Sequence, residues 1–334
     1  GITLDSRRCK PGYVFCAVVG AESGVPGISY AQKAVENGAV CVLCDTDCPA
    51  DLPFVRVADA ELALAEVSAN FYGHPAEKLR LIGVTGTKGK TTTTHLVRDI
   101  LTHAGKKCGL IGTNELMIGD QVITSHPVFS TTPEPPELHA LFAQMVEAGC
   151  EFAVMEVSSH ALALNRVYGL RFEVAAFTNL SQDHLNYHGT MEAYAAAKAK
   201  LFRQADCSVI NLDDAYAQQM IDAAAGKTVT FSLRNNKADL IAKSIRFLPH
   251  AAEFEALTLD SIQRMRINIP GAFSVENALT AVGICNAVGV SLPNIAEGLA
   301  GASGVCGRAE IVPVGQPYTV MIDYAHSPDS LSNI

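Results

Sequence analysis

The sequence predicts an α/β protein whose main body is a doubly wound, mostly parallel β-sheet. From residue 79 onward, short apolar runs, many of them β-branched, alternate with amphipathic helical stretches, as buried parallel strands and their crossover helices do. A glycine-rich turn follows the first of these runs. The length of 334 residues exceeds one compact core, so two or three domains are expected.

Residues 1–78 are predicted to form a small, separate α/β domain. Strands are expected over 13–19 and 39–44, with helices over 29–37 and 58–71. The sequence Gly73-His74-Pro75 then breaks the second helix and is typical of a linker.

Residues 79–310 carry the alternating pattern and are predicted to form the central domain. The predicted strands cover 81–84, 108–111, 152–157, 174–178, 208–212 and 228–232, and the predicted helices cover 91–103, 136–147, 192–203, 274–288 and 291–299. The apolar runs within 239–269 indicate a small antiparallel subsheet. Residues 311–334 contain one predicted strand, 318–323, and a turn, so only the start of a third, Rossmann-like domain is expected.

Composition favours a cytoplasmic enzyme. Hydrophobic residues make up 49% and charged residues 18% of the chain, which is the globular range. A net charge of −9 argues against nucleic-acid binding, which needs a basic face. Neither a membrane-spanning apolar run nor a signal segment is evident, so membrane insertion and export are not expected. The scattered cysteines are interpreted as small buried thiols rather than a zinc site.

The glycine-rich turn Gly83-Val84-Thr85-Gly86-Thr87-Lys88-Gly89-Lys90-Thr91 predicts a phosphate-binding loop. Glycines let backbone N–H groups approach an anion, Lys90 supplies charge for the terminal phosphates, and the Thr91 hydroxyl is a ligand for Mg²⁺. A Walker A loop has a further glycine five residues before Gly89, where this chain has Val84. The turn is therefore either a chance glycine cluster or a variant of the loop.

Polar side chains follow two predicted strands, at the edge where an open α/β sheet binds ligands. Glu156 ends one strand and is a candidate Mg²⁺ ligand. Asp183, His184 and His188 follow another and are candidates for binding a metal or a substrate. By contrast, Lys198 lies in the alanine-rich stretch 195–200. Spacing alone predicts a solvated lysine there.

Four motifs occur in order along the chain: Gly86-Thr87-Lys88-Gly89-Lys90-Thr91, Met155-Glu156-Val157-Ser158-Ser159-His160, Thr178-Asn179-Leu180-Ser181-Gln182-Asp183-His184-Leu185 and Asp323-Tyr324-Ala325-His326. Together they resemble the Mur ligases of peptidoglycan synthesis, whose own phosphate loop has this spacing. Three further segments resemble the MurE type, which adds the third stem-peptide residue: Leu4-Asp5-Ser6-Arg7, Ser130-Thr131-Thr132-Pro133, and His188-Gly189-Thr190-Met191 ahead of Tyr194-x-x-x-Lys198.

The resemblance implies roles for individual residues. Catalytic roles fall on Lys90, Glu156, His184 and Lys198. The implied nucleotide contacts are Gly86, Thr87, Lys88, Gly89, Lys90, Thr91, Thr92, Asn277, Arg308 and Asp323. Two Mg²⁺ sites are implied, with ligands from Thr91, Glu156, His184 and Lys198, the last as a carbamoylated lysine. The implied UDP-muramoyl-dipeptide contacts are Ser6, Thr131, Thr132, Ser158 and Arg166.

The resemblance also implies an activity. A monomeric, ATP-dependent ligase would join a diamino acid, L-lysine or meso-diaminopimelate, to the D-glutamate γ-carboxyl of UDP-MurNAc-L-Ala-D-Glu through an acyl phosphate. Because the family's third domain recognises the amino acid, this chain is expected to bind nucleotide but to ligate poorly. Two alternatives stay open: a folate-type polyglutamate ligase, which shares loop and fold, and a generic P-loop NTPase, which would need the strict Walker spacing.

Overall fold

A computed structural model describes residues 1–20, 24–49, 51–125, 131–312, 318, 320–325 and 331. The chain forms two compact units. The first unit comprises residues 1–78, 133–143 and 160–170, and the second comprises 79–132, 144–159 and 171–334. The first unit therefore includes two segments that the sequence pattern placed in the central domain.

The first unit contains a parallel sheet in the order β1-β2-β3-β4. Its elements are β1 (Ile2–Thr3), β2 (Tyr13–Cys16), α1 (Ala31–Glu36), β3 (Ala39–Cys44), β4 (Phe54–Arg56) and α2 (Ala60–Phe71). Helix α2 begins where the Asp59 carboxylate accepts hydrogen bonds from the N–H groups of Glu61 and Leu62, the usual way to satisfy free donors at a helix start. Strands β1 and β4 are too short to give a recognisable apolar run, which is why the sequence pattern misses them.

The second unit contains a large sheet. Among the described residues it has eleven strands in the order β15-β14-β13-β12-β11-β10-β5-β9-β6-β7-β8. These strands are β5 (Arg80–Thr85), β6 (Cys108–Ile111), β7 (Glu115–Ile118), β8 (Gln121–Ser125), β9 (Phe152–Glu156), β10 (Phe172–Phe177), β11 (Ala205–Asn211), β12 (Lys227–Ser232), β13 (Leu240–Leu248), β14 (Ala251–Leu257) and β15 (Ile262–Ile267). A separate antiparallel pair joins β16 (Glu310–Val312) to β17 (Val320–Ile322).

The helices from residue 90 onward complete this architecture. They are α3 (Lys90–His103), α4 (Pro135–Glu147), α5 (Ser159–Ala163), α6 (Leu185–His188), α7 (Met191–Ala199), α8 (Ala217–Ala223), α9 (Ala272–Ala287) and α10 (Leu292–Gly301). Helices α3, α9 and α10 supply much of the apolar core that covers the sheet. In the described part of the chain, no helix is both long and apolar enough to cross a membrane.

The predicted fold class is confirmed: strands β13, β12, β11, β10, β5, β9 and β6 are parallel neighbours. Strands β13, β14 and β15 form the expected antiparallel subsheet, which continues the large sheet rather than standing apart. A second antiparallel wing, β6-β7-β8, lies at the other edge and was not predicted.

Candidate active site

The glycine-rich turn connects β5 to α3, as the sequence predicts. Gly86 and Gly89 have φ of +150° and +85°, conformations that side-chain-bearing residues rarely adopt. A Cβ atom on Gly86 would collide with the Thr178 hydroxyl, and one on Gly89 would collide with the Asn277 amide oxygen. Both positions therefore favour glycine strongly, which argues against a chance glycine cluster.

The end of β10 holds this loop in place. The Thr87 N–H donates to the Asn179 carbonyl oxygen at 2.8 Å, and the Lys88 N–H donates to Asn179 Oδ1 at 2.9 Å. The Thr178 hydroxyl donates to the Lys88 carbonyl oxygen at 2.6 Å. Asn179 was not among the predicted site residues, although its position directly after a buried strand could have marked it.

Two lysines converge on one loop carbonyl. Lys90 Nζ donates to the carbonyl oxygens of Gly86 and Thr87 at 3.0 and 3.1 Å, and Lys198 Nζ donates to Gly86 O at 2.8 Å. Lys198 is only 1% exposed, so the prediction from its spacing that it is solvated is wrong. Burial, reinforced by Lys90, lowers the pKa of Lys198 well below its ordinary value. Burial also lowers the pKa of Lys90 against the attraction of Glu156.

Glu156 ends β9 with its carboxylate buried, 1% exposed. Thr113 donates to it twice, from its N–H at 2.8 Å and from its hydroxyl at 3.3 Å. The Thr132 hydroxyl donates to the Glu156 carbonyl at 2.9 Å and accepts from the Ser158 N–H at 3.0 Å. Thr131 lies beside them, with its hydroxyl oxygen 3.1 Å from the Thr113 hydroxyl oxygen. Sequence reasoning did not single out Thr113, which follows the carboxyl end of β6.

Asp183 and His184 lie on the opposite flank of the loop, before α6. Lys88 Nζ is 3.6 Å and His184 Nδ1 is 3.7 Å from the Asp183 carboxylate. Burial opposes ionisation of Asp183, but His184 and Lys88 together hold its pKa below the usual range. Burial lowers the pKa of His184, and Lys90, Lys198 and Lys88 add to this effect against the attraction of Asp183. Asp183 and His184 are therefore both influenced by the charge of Lys88.

The other predicted nucleotide contacts of the second unit lie on α3, on α9 and near the strands β16 and β17. Thr91 and Thr92 are buried in the first turn of α3. Asn277, on α9, lies against Gly89. The Arg308 guanidinium packs 4.8 Å from the centre of the Tyr324 ring, and Asp323 accepts from the Ala309 N–H at 2.7 Å.

The predicted contacts of the UDP-muramoyl substrate divide between the two units. Ser6 and Arg166 belong to the first unit. There Arg166, only 6% exposed, pairs with Glu134 at 2.6 Å, and the Ser6 carbonyl accepts from Asn37 at 2.9 Å. Thr131, Thr132 and Ser158 belong to the second unit. Ser130 and His326, which were quoted in the motifs, lie outside the described residues.

These residues fit a magnesium nucleotide. The ammonium of Lys90 has only carbonyl oxygens as hydrogen-bond partners among the described residues, so it is available to pair with a phosphate. Glu156 is a buried carboxylate whose described hydrogen-bond donors both come from Thr113, and carboxylate oxygen is a preferred Mg²⁺ ligand. No group of three His, Cys, Asp or Glu side chains in the described residues forms a metal site by itself. Further oxygen ligands would therefore come from Thr91, from the nucleotide or from water.

A strand, a phosphate-binding loop and a helix, set beside a buried carboxylate, define a P-loop enzyme of nucleotide chemistry. The Mur ligase middle domain family matches residues 84–285. The chain is 44% identical to the UDP-N-acetylmuramoyl-L-alanyl-D-glutamate–2,6-diaminopimelate ligase of Caldanaerobacter subterraneus subsp. tengcongensis, over 100% of this chain and 68% of that protein. The chain therefore belongs to the Mur ligase family, and it is an ATP-dependent, ADP-forming ligase.

Solved structures agree with this assignment. A structure of a UDP-N-acetylmuramoyl-L-alanyl-D-glutamate–2,6-diaminopimelate ligase has a TM-score of 0.85 and 30% sequence identity, covering 99% of this chain and 68% of that one. A folylpolyglutamate synthase of Mycobacterium tuberculosis, solved with ADP and AMPPCP, has a TM-score of 0.66 at 18% identity, covering 81% and 69%. The second likeness concerns the fold alone.

Proposed function

We propose that this chain catalyses the MurE-type reaction, joining a diamino acid to the D-glutamate γ-carboxyl of UDP-MurNAc-L-Ala-D-Glu with cleavage of ATP to ADP. Its 44% identity to a diaminopimelate ligase favours 2,6-diaminopimelate over L-lysine. The observation that carries the proposal is the convergence of Lys90 and Lys198 on Gly86 O in the phosphate loop, with Glu156 close enough to act on the charge of Lys90.

In the proposed reaction, a γ-carboxylate oxygen attacks the γ-phosphorus of ATP, the bond to ADP breaks, and an acyl phosphate forms. The amine of the diamino acid then attacks the acyl carbon. Phosphate leaves with the former carboxylate oxygen, and the amine loses a proton. Both steps concentrate negative charge at the loop, so preorganised cations provide the largest share of catalysis. Lys90 is the protein's own cation there.

Mg²⁺, when bound, neutralises phosphate charge and orients the nucleotide. We propose that Thr91 and Glu156 hold one ion and that His184 and carbamoylated Lys198 serve a second. The depressed pKa of Lys198 supports this role, because an uncharged amine is the form that attacks CO₂. The lysine nitrogen bonds to the carbon of CO₂, releases a proton to solvent, and becomes a carbamate anion. A buried, uncharged amine thereby becomes a carboxylate-like ligand.

Labelling with ¹³C-bicarbonate tests the carbamate. A carbamate carbon signal is expected in the wild type and absent in Lys198→Arg. Lys200→Arg, a change two residues away on the same segment, is the matched control and should retain the signal. An equal signal in all three proteins would rule out Lys198 as the modified residue.

We further propose that residues 1–78 hold the UDP-muramoyl substrate with Ser6, and that 79–310 hold ATP. Residues 311–334 would begin the ligase domain that reads the amino acid, with the enzyme acting as a cytoplasmic monomer. The chain spans 68% of the length of the diaminopimelate ligase it matches, and we propose that it binds nucleotide through the phosphate loop.

The experiment that tests the function is incubation with Mg-ATP, UDP-MurNAc-L-Ala-D-Glu and either meso-diaminopimelate or L-lysine. ADP release should depend on the muramoyl substrate, and mass spectrometry should detect the diaminopimelate tripeptide. Even where ligation is slow, hydroxylamine should trap the acyl phosphate as a hydroxamate. Dependence on a folate in place of the muramoyl substrate would favour the polyglutamate ligase, and ADP release without either would favour a generic NTPase.

A further inference from the structure

Tyr194 lies at the centre of the buried contacts behind the phosphate loop. It is 1% exposed on α7, one helical turn before Lys198. Its hydroxyl is 3.2 Å from Thr87 Oγ1 in the loop. Burial raises its pKa to about 12, against the effect of hydrogen bonds with Thr87 and Ser159. None of the assigned roles includes this side chain, whose hydroxyl can donate or accept a hydrogen bond.

The Thr87 hydroxyl is within hydrogen-bond distance of both Tyr194 and Ser181. Thr87 Oγ1 accepts from the Ser181 N–H at 3.0 Å and is 3.3 Å from the Ser181 carbonyl oxygen. Ser181 belongs to the segment that connects β10 to His184. One threonine hydroxyl thus links the phosphate loop to the chain that carries the candidate metal ligand, and Tyr194 supports it from α7.

The ring of Tyr194 contacts the candidate metal-site residues themselves. It stacks on His188 at 5.0 Å between ring centres, with 27° between the planes, and meets His184 edge-on at 6.1 Å. Lys198 Nζ lies 4.6 Å from the ring centre. His188 Nε2 is in turn 3.0 Å from Ser159 Oγ.

We infer that Tyr194 is a positioning residue for nucleotide binding: its hydroxyl fixes Thr87, and so sets the phosphate loop against the segment 181–188. Tyr194 touches neither ATP nor substrate in this account and acts only through Thr87. The inference rests on the proposed function, since it supposes that the loop binds the phosphates of ATP.

Replacing Tyr194 by phenylalanine keeps the ring and its packing but removes the hydroxyl. Calorimetric titration with ADP and Mg²⁺ should give a dissociation constant roughly fivefold higher than wild type, the loss typical of one hydrogen bond. The thermal unfolding midpoint should change little. Tyr168→Phe is the matched control, because Tyr168 is 42% exposed and lies in the other unit; its ADP affinity should equal that of the wild type.

A double-mutant cycle with Thr87→Val separates positioning from packing. If Tyr194 acts through Thr87, the double variant should bind ADP no more weakly than the weaker single variant. Additive losses, or wild-type affinity in Tyr194→Phe, would overturn the inference. Failure of the wild-type protein to bind ADP would instead overturn the proposed function, so the two failures are distinguishable.

Discussion

At the scale of single residues, the site is defined by two lysine side chains, Lys90 and Lys198, that the fold brings to the same carbonyl oxygen. Lys90 and Lys198 both donate to Gly86 O, and after burial the charge of Lys90 contributes to lowering the pKa of Lys198. Because two cations so close repel each other, Lys198 favours its uncharged form unless an anion lies nearby. Phosphate beside Lys90 and a carbamate on Lys198 would each supply that anion. The free site thus has the charge arrangement that suits its proposed ligands.

Lys90→Ala tests the first of these charges. Removing a preorganised cation from the developing phosphate charge should lower ATP turnover on the order of 10³-fold. Steady-state ADP release is the measurement, with Lys88→Ala as a neighbouring lysine whose loss should cost less, since it already pairs with Asp183. Near-normal turnover in Lys90→Ala would contradict the assignment.

A site residue could be predicted from the sequence when the features that mark it are local, and not when its partners lie far away along the chain. Lys90 and Glu156 were predictable because loop spacing and strand ends are local features. Thr113 and Tyr194 were not, because their partners are 43 and 107 residues away. The burial of Lys198 was hidden too: its neighbours on α7 are mostly alanines, which give the helix little apolar contrast.

At the scale of elements, the geometry of the phosphate loop depends on its glycines and on the end of β10. The turn needs positive φ at Gly89, and α9 approaches so closely that Asn277 occupies the space of a side chain. The spacing of the glycines was enough to predict a turn of this kind between β5 and α3. Strands β7 and β8 of the second antiparallel wing, which have four and five residues, were not predicted.

Gly89→Ala should weaken ADP binding roughly tenfold or more, because its Cβ would displace Asn277 beside the phosphate loop. The strain of about 1–2 kcal/mol that alanine has at positive φ should lower stability in addition. The matched control is Gly105→Ala. Gly105 also has positive φ, +77°, but nothing lies within 4 Å of a Cβ there. The control should lose stability without losing ADP affinity, and equal affinities in both variants would show that the contact with Asn277 is immaterial.

On helix α4, the buried side chain of His139 should make the stability of the protein depend on pH. It is 3% exposed and its Nδ1 has no hydrogen-bond partner in the described structure. Burial, with a smaller effect of His74, lowers its pKa from 6.5 to about 4. Above pH 6.5 both folded and unfolded states hold it neutral. Between pH 6.5 and 4 the unfolded state binds the proton more readily, so the free energy of unfolding falls as pH falls.

His139→Leu should remove this contribution, which amounts to at most about 1.4 kcal/mol per pH unit. Denaturant titrations between pH 7 and pH 4 should therefore give a shallower decline of unfolding free energy in the variant than in the wild type. His250→Leu, at an exposed position, should follow the wild-type slope. Parallel curves for His139→Leu and wild type would show that this histidine is not held neutral by the fold.

At the scale of the whole molecule, alternation of strands and helices was enough to predict the class of sheet, and the motifs at strand ends were enough to identify the family. The pattern did not predict that segments 133–143 and 160–170 group with residues 1–78. Such grouping depends on contacts between residues far apart in sequence, which no local periodicity records.

Oxygen labelling tests whether phosphate passes from ATP to the substrate's γ-carboxylate at this loop. UDP-MurNAc-L-Ala-D-Glu carrying ¹⁸O in the γ-carboxyl is incubated with Mg-ATP and meso-diaminopimelate, and the released phosphate is analysed by mass spectrometry. Each phosphate is expected to carry one ¹⁸O from the carboxylate, and Lys90→Ala is expected to release almost no phosphate. Phosphate released by the wild type without label would show that water, not the carboxylate, is the acceptor, and would contradict the account.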